Sequence, residues 1–465
     1  MKPRIISTLS RAVPGSLRRT KLVALTLFTV AVLGWAGRMS GAGQYFTVDY
    51  PASTVPGEMI LSVTYTLWIP DGVKTFRGVI VHQHGAGMTA AKEGSTAAYD
   101  LHWQALAKMW DCALLGPCYH VLNDGDMGAA GAEYWFDPRR GSDKTFLRAL
   151  GDFAATTGHP ELAKVPWALW GHSAGAGWAD VMATLYPQRV AAVYFRSGCA
   201  LVWSNRVKHP EYPPVPIPAT SYGVPRMCTG GAKEKWLPPL YETTFREYRT
   251  NGGPIGCAYD PRTGHECGDS RYFAIPFLDA CLAMRLPDKG SHDQTLKPVD
   301  MSQAWLVQPA GDTPVQTGEY KGKVEEAWWL PNEAVAKDWM EYTKTGAVGD
   351  TTPPPAPFNV KATPKANQGT EITWDAEADF ESGISQFIIW RDGAELAKVP
   401  EKPVGKFGRP LFQSMTYHDT PDRPLPEMRF LDASAKAGEE HTYTIVMVNS
   451  VGLKSNPSRE ARVLP

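Results

Sequence analysis

Val165-Pro-Trp-Ala-Leu-Trp170, Gly171-His172-Ser173-Ala174-Gly175 and Ala176-Gly-Trp-Ala-Asp-Val-Met-Ala-Thr-Leu185 follow one another without a break. The first run is apolar and reads as a strand. The last is rich in alanine and reads as a helix. Between them a G-x-S-x-G turn carries a serine at its apex, the pattern of a nucleophile elbow. Glycines two before and two after Ser173 are needed where strand and helix backbones nearly touch. Such a turn holds its serine in a strained conformation, with the hydroxyl off the end of a sheet. The N–H of Ala174, at the helix N-terminus, then faces a developing oxyanion. A glycine-rich turn packed on a core has the same letters; the flanking strand and helix favour the elbow.

An oxyanion hole needs a second N–H, from the loop after an earlier strand. Arg77-Gly-Val-Ile-Val-His-Gln83 reads as that strand and runs into His84-Gly85-Ala86-Gly87. The expected donor is Ala86, with Gly87 the next choice. His82 and His84 form an H-x-H that one strand face could offer to a metal. No carboxylate or third histidine stands nearby in the sequence, so no metal and no cofactor is expected.

The general base is a histidine beyond the elbow: His209, His265, His292, His418 or His441. His265 sits in Gly264-His-Glu-Cys-Gly-Asp269, between a short apolar strand (254–259) and a helix (273–285). From such a loop an imidazole swings over the serine. His292 is the runner-up, in Gly290-Ser-His-Asp293, but no strand leads into it. The strand 223–228 runs into Thr229-Gly-Gly-Ala-Lys-Glu234. Glu234 stands where a carboxylate orients the imidazole and stabilises its charged form. Asp269 is the alternative acid, and a solvated glutamate in a charged turn is the plainer reading of Glu234.

Strands at 111–117 and 189–195 alternate with helices at 101–109 and 146–154, and the chemical order is Ser173, Glu234, His265. In this the chain resembles the α/β-hydrolase superfamily over roughly residues 44–345. Within it, the chain is most similar to secreted bacterial esterases of the polyhydroxyalkanoate-depolymerase and feruloyl-esterase kind. The resemblance rests on His84-Gly85, Gln104-Ala-Leu-Ala107, Gly171-His-Ser-Ala-Gly175, Gly231-Ala-Lys-Glu234 and Gly264-His265. It implies an α/β fold with a doubly wound, mostly parallel sheet, and a serine, histidine and acid acting through an acyl-enzyme. Those relatives often carry Asp where Glu234 stands, and His-Gly-Cys where this chain has His-Gly-Ala-Gly. The second departure leaves subfamily and substrate open.

Residues 1–42 hold seven basic side chains and no acidic ones, followed from Leu22 to Ala36 by a largely apolar run. That reads as an export signal, with Ser40-Gly41-Ala42 as a small-x-small cleavage site. The apolar run is short for a membrane span, an uncleaved anchor being the competing reading. Arg18-Arg19 is compatible with twin-arginine export. The expected location is secreted or periplasmic. Loss of the seven positive charges takes the formal net charge from −1 to −8. No basic patch then remains for nucleic acid.

Export permits disulfides among the seven cysteines. Cys112 and Cys118 share one apparent strand, and six extended residues span about 20 Å, beyond bridging distance. Cys257 and Cys267 flank the His265 loop and could close it; buried thiols are the alternative.

At 465 residues the chain exceeds one domain. The expected division is a signal (1–42), a catalytic domain (43–349), a stiff proline-rich linker (350–357) and a second domain (358–465). Runs 371–375, 384–391 and 442–448 alternate apolar with polar, as half-buried antiparallel strands do. With Pro355-x-Pro357, Trp374, Arg391-Asp-Gly393, Tyr443 and Gly452-Leu-x-Ser455, this segment resembles a fibronectin type III domain, an all-β immunoglobulin-like sandwich. The resemblance implies a spacer or an attachment to an extracellular polymer surface. Separate apolar cores on either side of the linker predict a catalytic part that stands alone up to Gly349.

The expected activity is that of an exported serine esterase on small or polymeric esters of plant cell-wall material or a polyester. A serine peptidase or acyltransferase on the same fold, and a non-catalytic extracellular binding protein, are the alternatives.

Overall fold

The loops that matter leave one edge of a sheet of eight strands. These are β1 Gly43–Tyr50, β2 Val63–Pro70, β3 Gly78–Gln83, β4 Cys112–Tyr119, β5 Trp167–His172, β6 Val190–Arg196, β7 Arg226–Gly231 and β8 Ile255–Asp260, in the order β1-β2-β4-β3-β5-β6-β7-β8. β2 is antiparallel to both neighbours, and all other pairs are parallel. The computed structural model describes residues 43–87, 96–121, 134–199, 201–202, 205, 214–290, 295–309, 311–405, 411–422 and 428–463. The expected export signal, His209 and His292 lie outside them. Among the described residues no helix is long and apolar enough to cross a membrane.

β3, β5, β6 and β7 are buried at every residue. Parallel strands covered on both faces must be so, which is why they read as apolar runs and not as alternating ones. Helices α1 Leu101–Met109, α5 Arg271–Arg285 and α6 Glu333–Thr345 cover one face; α2 Ser142–Thr157, α3 Ala174–Leu185 and α4 Leu237–Thr250 cover the other. Because β3 and β5 to β8 run parallel, the loops after them share one edge, the usual place for a site in such sheets.

β7 starts later than expected and takes in Gly230 and Gly231, which read as turn in the sequence. The reason is crowding: a Cβ on Gly231 would lie 2.2 Å from the Gly264 carbonyl oxygen. Only glycine lets the last residues of β7 stay in the sheet beside the 263–264 backbone.

After a small sheet of β9 Trp305–Val307, β10 Val315–Gln316 and β11 Trp328–Leu330, the C-terminal part is a sandwich. β12 Phe358–Lys365, β13 Gly369–Asp375 and β16 Arg429–Asp432 form one sheet. β14 Gln386–Arg391, β15 Ala394–Val399, β17 His441–Val448 and β18 Ala461–Val463 form the other. Trp374 meets Phe387 edge-on at 5.3 Å, and Tyr443 is fully buried between the sheets. Asp392 and Gly393 both have positive φ (52° and 81°), as a two-residue hairpin turn demands.

The linker is not a free spacer. Asp350 accepts hydrogen bonds from Ser382 Oγ (2.5 Å) and Asn449 Nδ2 (2.9 Å), and Pro354 and Pro357 are buried. All described residues belong to one compact unit. Gln413 reaches the start of α1 from the sandwich, accepting from Leu101 N (2.9 Å) and donating to Tyr99 O (2.7 Å). At the centre of this contact Arg271, first residue of α5, lies between two carboxylates. Its guanidinium donates to Asp100 Oδ2 (2.6 Å) and to Asp419 Oδ1 (2.9 Å) of the sandwich. Asp419 Oδ2 also accepts from Trp103 Nε1 (3.1 Å). All three charged groups are nearly inaccessible to solvent. Cutting the chain at Gly349, where the first domain is expected to end, would leave a buried arginine without one of its two counter-charges.

Burial alone would raise the Asp419 pKa, but Arg271 and the bond to His82 outweigh it and hold the carboxyl at about 2. A depressed pKa contributes stability above the unfolded value, near 3.9, that fades as pH falls through the folded one. Asp419→Asn should lower stability by about 3 kcal/mol at neutral pH. In urea titrations the gap between wild type and variant should be constant above about pH 4 and close towards pH 2. A gap of the same size at both ends would show that the charge does not hold this contact.

Candidate active site

The elbow forms where β5 meets α3. A Cβ on Gly171 would lie 2.3 Å from Gly175 O, and one on Gly175 would lie 2.4 Å from His84 O. Both glycines are therefore required by close backbone contact. Ser173 has φ 54° and ψ −118°, a strained conformation for a residue with a side chain. Its N–H donates to Arg196 O (2.8 Å) at the end of β6, and its carbonyl accepts from Ala176 and Gly177 in the first turn of α3. Ala174 is the first residue of α3, so its N–H is among the donors that no intrahelical bond uses. The end of β3 touches Gly175, which brings the 84–87 segment, with Ala86 and Gly87, beside the elbow.

His265 lies between β8 and α5. Its Nε2 is 2.9 Å from Ser173 Oγ, and its Nδ1 is 2.6 Å from Glu234 Oε1. The imidazole is about one-third exposed, and the Glu234 carboxylate is almost fully buried. Asp269, the alternative acid, is turned to Arg262 Nη2 at 3.0 Å. His418 is 2.8 Å from His172, while His441 bonds Asp392 at 2.7 Å within the sandwich.

Glu234 Oε2 accepts from Ser197 Oγ (2.5 Å) and Gly231 N (3.1 Å). Burial pushes its pKa up, but the bonds from His265, Ser197 and Gly231 outweigh that and hold it below the usual range. The acid is thus anionic at neutral pH and faces one ring nitrogen of His265. The loop that carries His265 is held by Arg196, fully buried at the end of β6. Its guanidinium donates to Thr263 Oγ1 (2.9 Å), Gly264 O (3.1 Å) and Glu266 O (3.2 Å).

His82 and His84 do not share a face for a metal. His82 stacks on Trp170 at 3.8 Å with Nε2 towards Asp419 (3.3 Å). His84 Nε2 accepts from Tyr119 N (3.3 Å), its Nδ1 bonds Gly85 O (2.5 Å), and burial lowers its pKa to about 4. Elsewhere Asp350, Asp379 and Glu381 bring carboxylate oxygens within 4.8 Å of one another, with Asn449 donating to the first two. All seven cysteines are buried thiols, with no disulfide among the described residues. Cys257 pairs in register with Cys228 on the next strand, and Cys228 Sγ lies 3.6 Å from Cys199 Sγ.

Sequence reasoning missed Arg196, Ser197 and Asp419; it weighed His418 only as a candidate base, and the contact of His172 with His418 was not foreseen. An arginine closing the apolar run 190–195 is the one signal present in the letters, since a charge there must be buried and satisfied.

The fold defines a mixed α/β domain built on a mostly parallel sheet and joined to an all-β sandwich. Three solved structures are similar to parts of this chain. An S-formylglutathione hydrolase from Agrobacterium tumefaciens is 16% identical over 53% of this chain and 95% of its own, with a TM-score of 0.34. A cold-adapted esterase from an Arctic intertidal metagenomic library is 13% identical over 53% and 95%, with a TM-score of 0.35. A fibronectin-III-like protein from Clostridium thermocellum is 16% identical over 24% and 96%, with a TM-score of 0.16. No protein-family model and no curated protein matches the chain.

The strain at Ser173 is measurable. Ser173→Gly should unfold at higher denaturant than Ser173→Ala, by about 1 kcal/mol, because glycine adopts this conformation without a Cβ clash. Equal stabilities, or a weaker glycine variant, would mean that the turn stores no strain.

Proposed function

We propose that this protein is a serine esterase on an α/β-hydrolase frame, acting through Ser173, His265 and Glu234. The observation that carries the reading is the unbroken chain of short contacts from Ser173 Oγ through the His265 ring to Glu234, with the serine on a strained turn. His265 Nε2 takes the hydroxyl proton as Ser173 Oγ attacks the ester carbonyl carbon. The N–H groups of Ala86 and Ala174 stabilise the oxyanion. The intermediate collapses, the alcohol leaves with the proton from His265, and the acyl group stays on the serine. Water, deprotonated by the same ring, then releases the acid. Glu234 holds the Nδ1–H tautomer and offsets the charge of the imidazolium. This chemistry needs no cofactor.

The alcohol departs on the side of His265, where two exposed aromatic rings stand, Trp236 at 5.9 Å and Tyr417 at 6.3 Å between centroids. They favour a substrate with planar or apolar groups beside the scissile bond, as cell-wall esters and polyesters have. Export follows from the reading of residues 1–42, and an extracellular polymer as target from the appended sandwich.

A fluorophosphonate should label Ser173, and Ser173→Ala should lower ester turnover roughly 10⁴- to 10⁶-fold. Glu234→Gln keeps the shape but not the charge, and should lower kcat by roughly 10²- to 10⁴-fold. A panel of ester, amide and acyl-acceptor substrates should show ester hydrolysis dominant. Labelling at another residue, or near-normal turnover by the serine variant, would sink the mechanism.

A further inference from the structure

The sandwich turn at 416–420 reaches into the catalytic centre. The turn is itself locked: Thr416 N donates to Thr420 O (2.8 Å), the two threonine hydroxyls are 2.8 Å apart, and Asp419 takes φ 60°. Its three middle residues touch different parts of the site. Tyr417 O accepts from Cys267 N (3.3 Å), two residues after the candidate base. His418 lies over Gly85 of the oxyanion loop, so closely that a Cβ on Gly85 would be 2.4 Å from its Nδ1. Asp419 bonds His82, in the strand leading to that loop, and is clamped by Arg271.

The hydrogen positions follow from the acceptors. His172 Nε2 is 2.7 Å from the backbone carbonyl oxygen of His265. A carbonyl only accepts, so Nε2 carries the hydrogen. His172 is fully buried, and burial together with His418, His265 and Arg196 pushes its pKa well below the ordinary value. It is therefore neutral, and its Nδ1 bears a lone pair. The atom 2.8 Å from that lone pair is His418 Nδ1, which must then be the donor. The chain runs from His418 Nδ1–H to His172 Nδ1, and from His172 Nε2–H to the carbonyl of His265.

We propose that His418 is a positioning residue of the esterase: by donating to His172 it fixes, through that ring, the backbone of His265, so the C-terminal sandwich completes the catalytic centre. This inference rests on the reading of Ser173, His265 and Glu234 given above. It assigns the sandwich a part in catalysis on any ester, including small soluble ones that need no attachment to a polymer.

The test compares His418→Asn with His418→Leu in the full-length chain. The two side chains have nearly the same size and shape, and both remove the ring. Only asparagine places an N–H where Nδ1 stood. On a small soluble ester, His418→Leu should lower kcat roughly 10- to 100-fold with KM little changed, the effect of a displaced base. His418→Asn should recover most of that, to within about 3-fold of wild type. Equal activity of the two variants, at any level, would overturn the proposal. Should the leucine variant not fold, nitrogen-15 NMR of histidine-labelled wild type decides: His172 should be the Nε2–H tautomer and His418 the Nδ1–H tautomer near neutral pH. The opposite tautomer at either ring would overturn it. Failure of the underlying mechanism reads out separately, as wild-type protein in which a fluorophosphonate does not mark Ser173.

Discussion

The contact on which everything else depends is between backbones. At the elbow, β5, the first turn of α3, the end of β3 and the segment after β6 come so close that side chains would not fit. Gly198 shows the fourth side of this contact: a Cβ there would lie 2.6 Å from Ser173 O and 2.4 Å from the Ala176 side chain. The strained serine, the helix N-terminus behind it and the loop after β3 are consequences of that crowding. A sheet of buried parallel strands supplies the rigidity that such strain requires.

The electrostatics follow from unequal exposure. The candidate acid is buried yet anionic, because three donors converge on it, and the imidazole it faces is open to substrate. Ser197 and Gly231 hold one oxygen of Glu234 and leave the other for His265. The carboxylate thus cannot rotate away without breaking bonds in a site shielded from water. Arg196 treats the opposite segment in the same manner, gripping the Gly264 and Glu266 carbonyls of the loop that presents the imidazole.

The sheet and the elbow were legible because their signals are local. Buried parallel strands are apolar runs, G-x-S-x-G is five adjacent residues, and Asp-Gly between alternating strands is a hairpin turn. The contact of Glu234 with His265 spans 31 residues; the order of strands put Glu234 forward and left Asp269 and a solvated glutamate open. What was not legible lies at long range. His172 and His418 are separated by 246 residues, and nothing near either announces the other. Arg271 looks like an ordinary helix-start arginine, and Asp419 like an ordinary turn carboxylate. Only burial makes the pair consequential. The proline-rich stretch misled for a related reason, since composition tells how stiff a segment is but not what it lies against.

The buried arginine between Asp100 and Asp419 also sets an order of events. A chain growing from residue 43 onward acquires the 84–87 segment, Ser173, Glu234 and His265 long before it acquires residue 419. Until the sandwich has folded, Arg271 has one carboxylate in place of two, and His172 lacks its donor. A later segment is thus the keystone of earlier ones, and the surroundings of Ser173 take their final form only after residue 419 has been made.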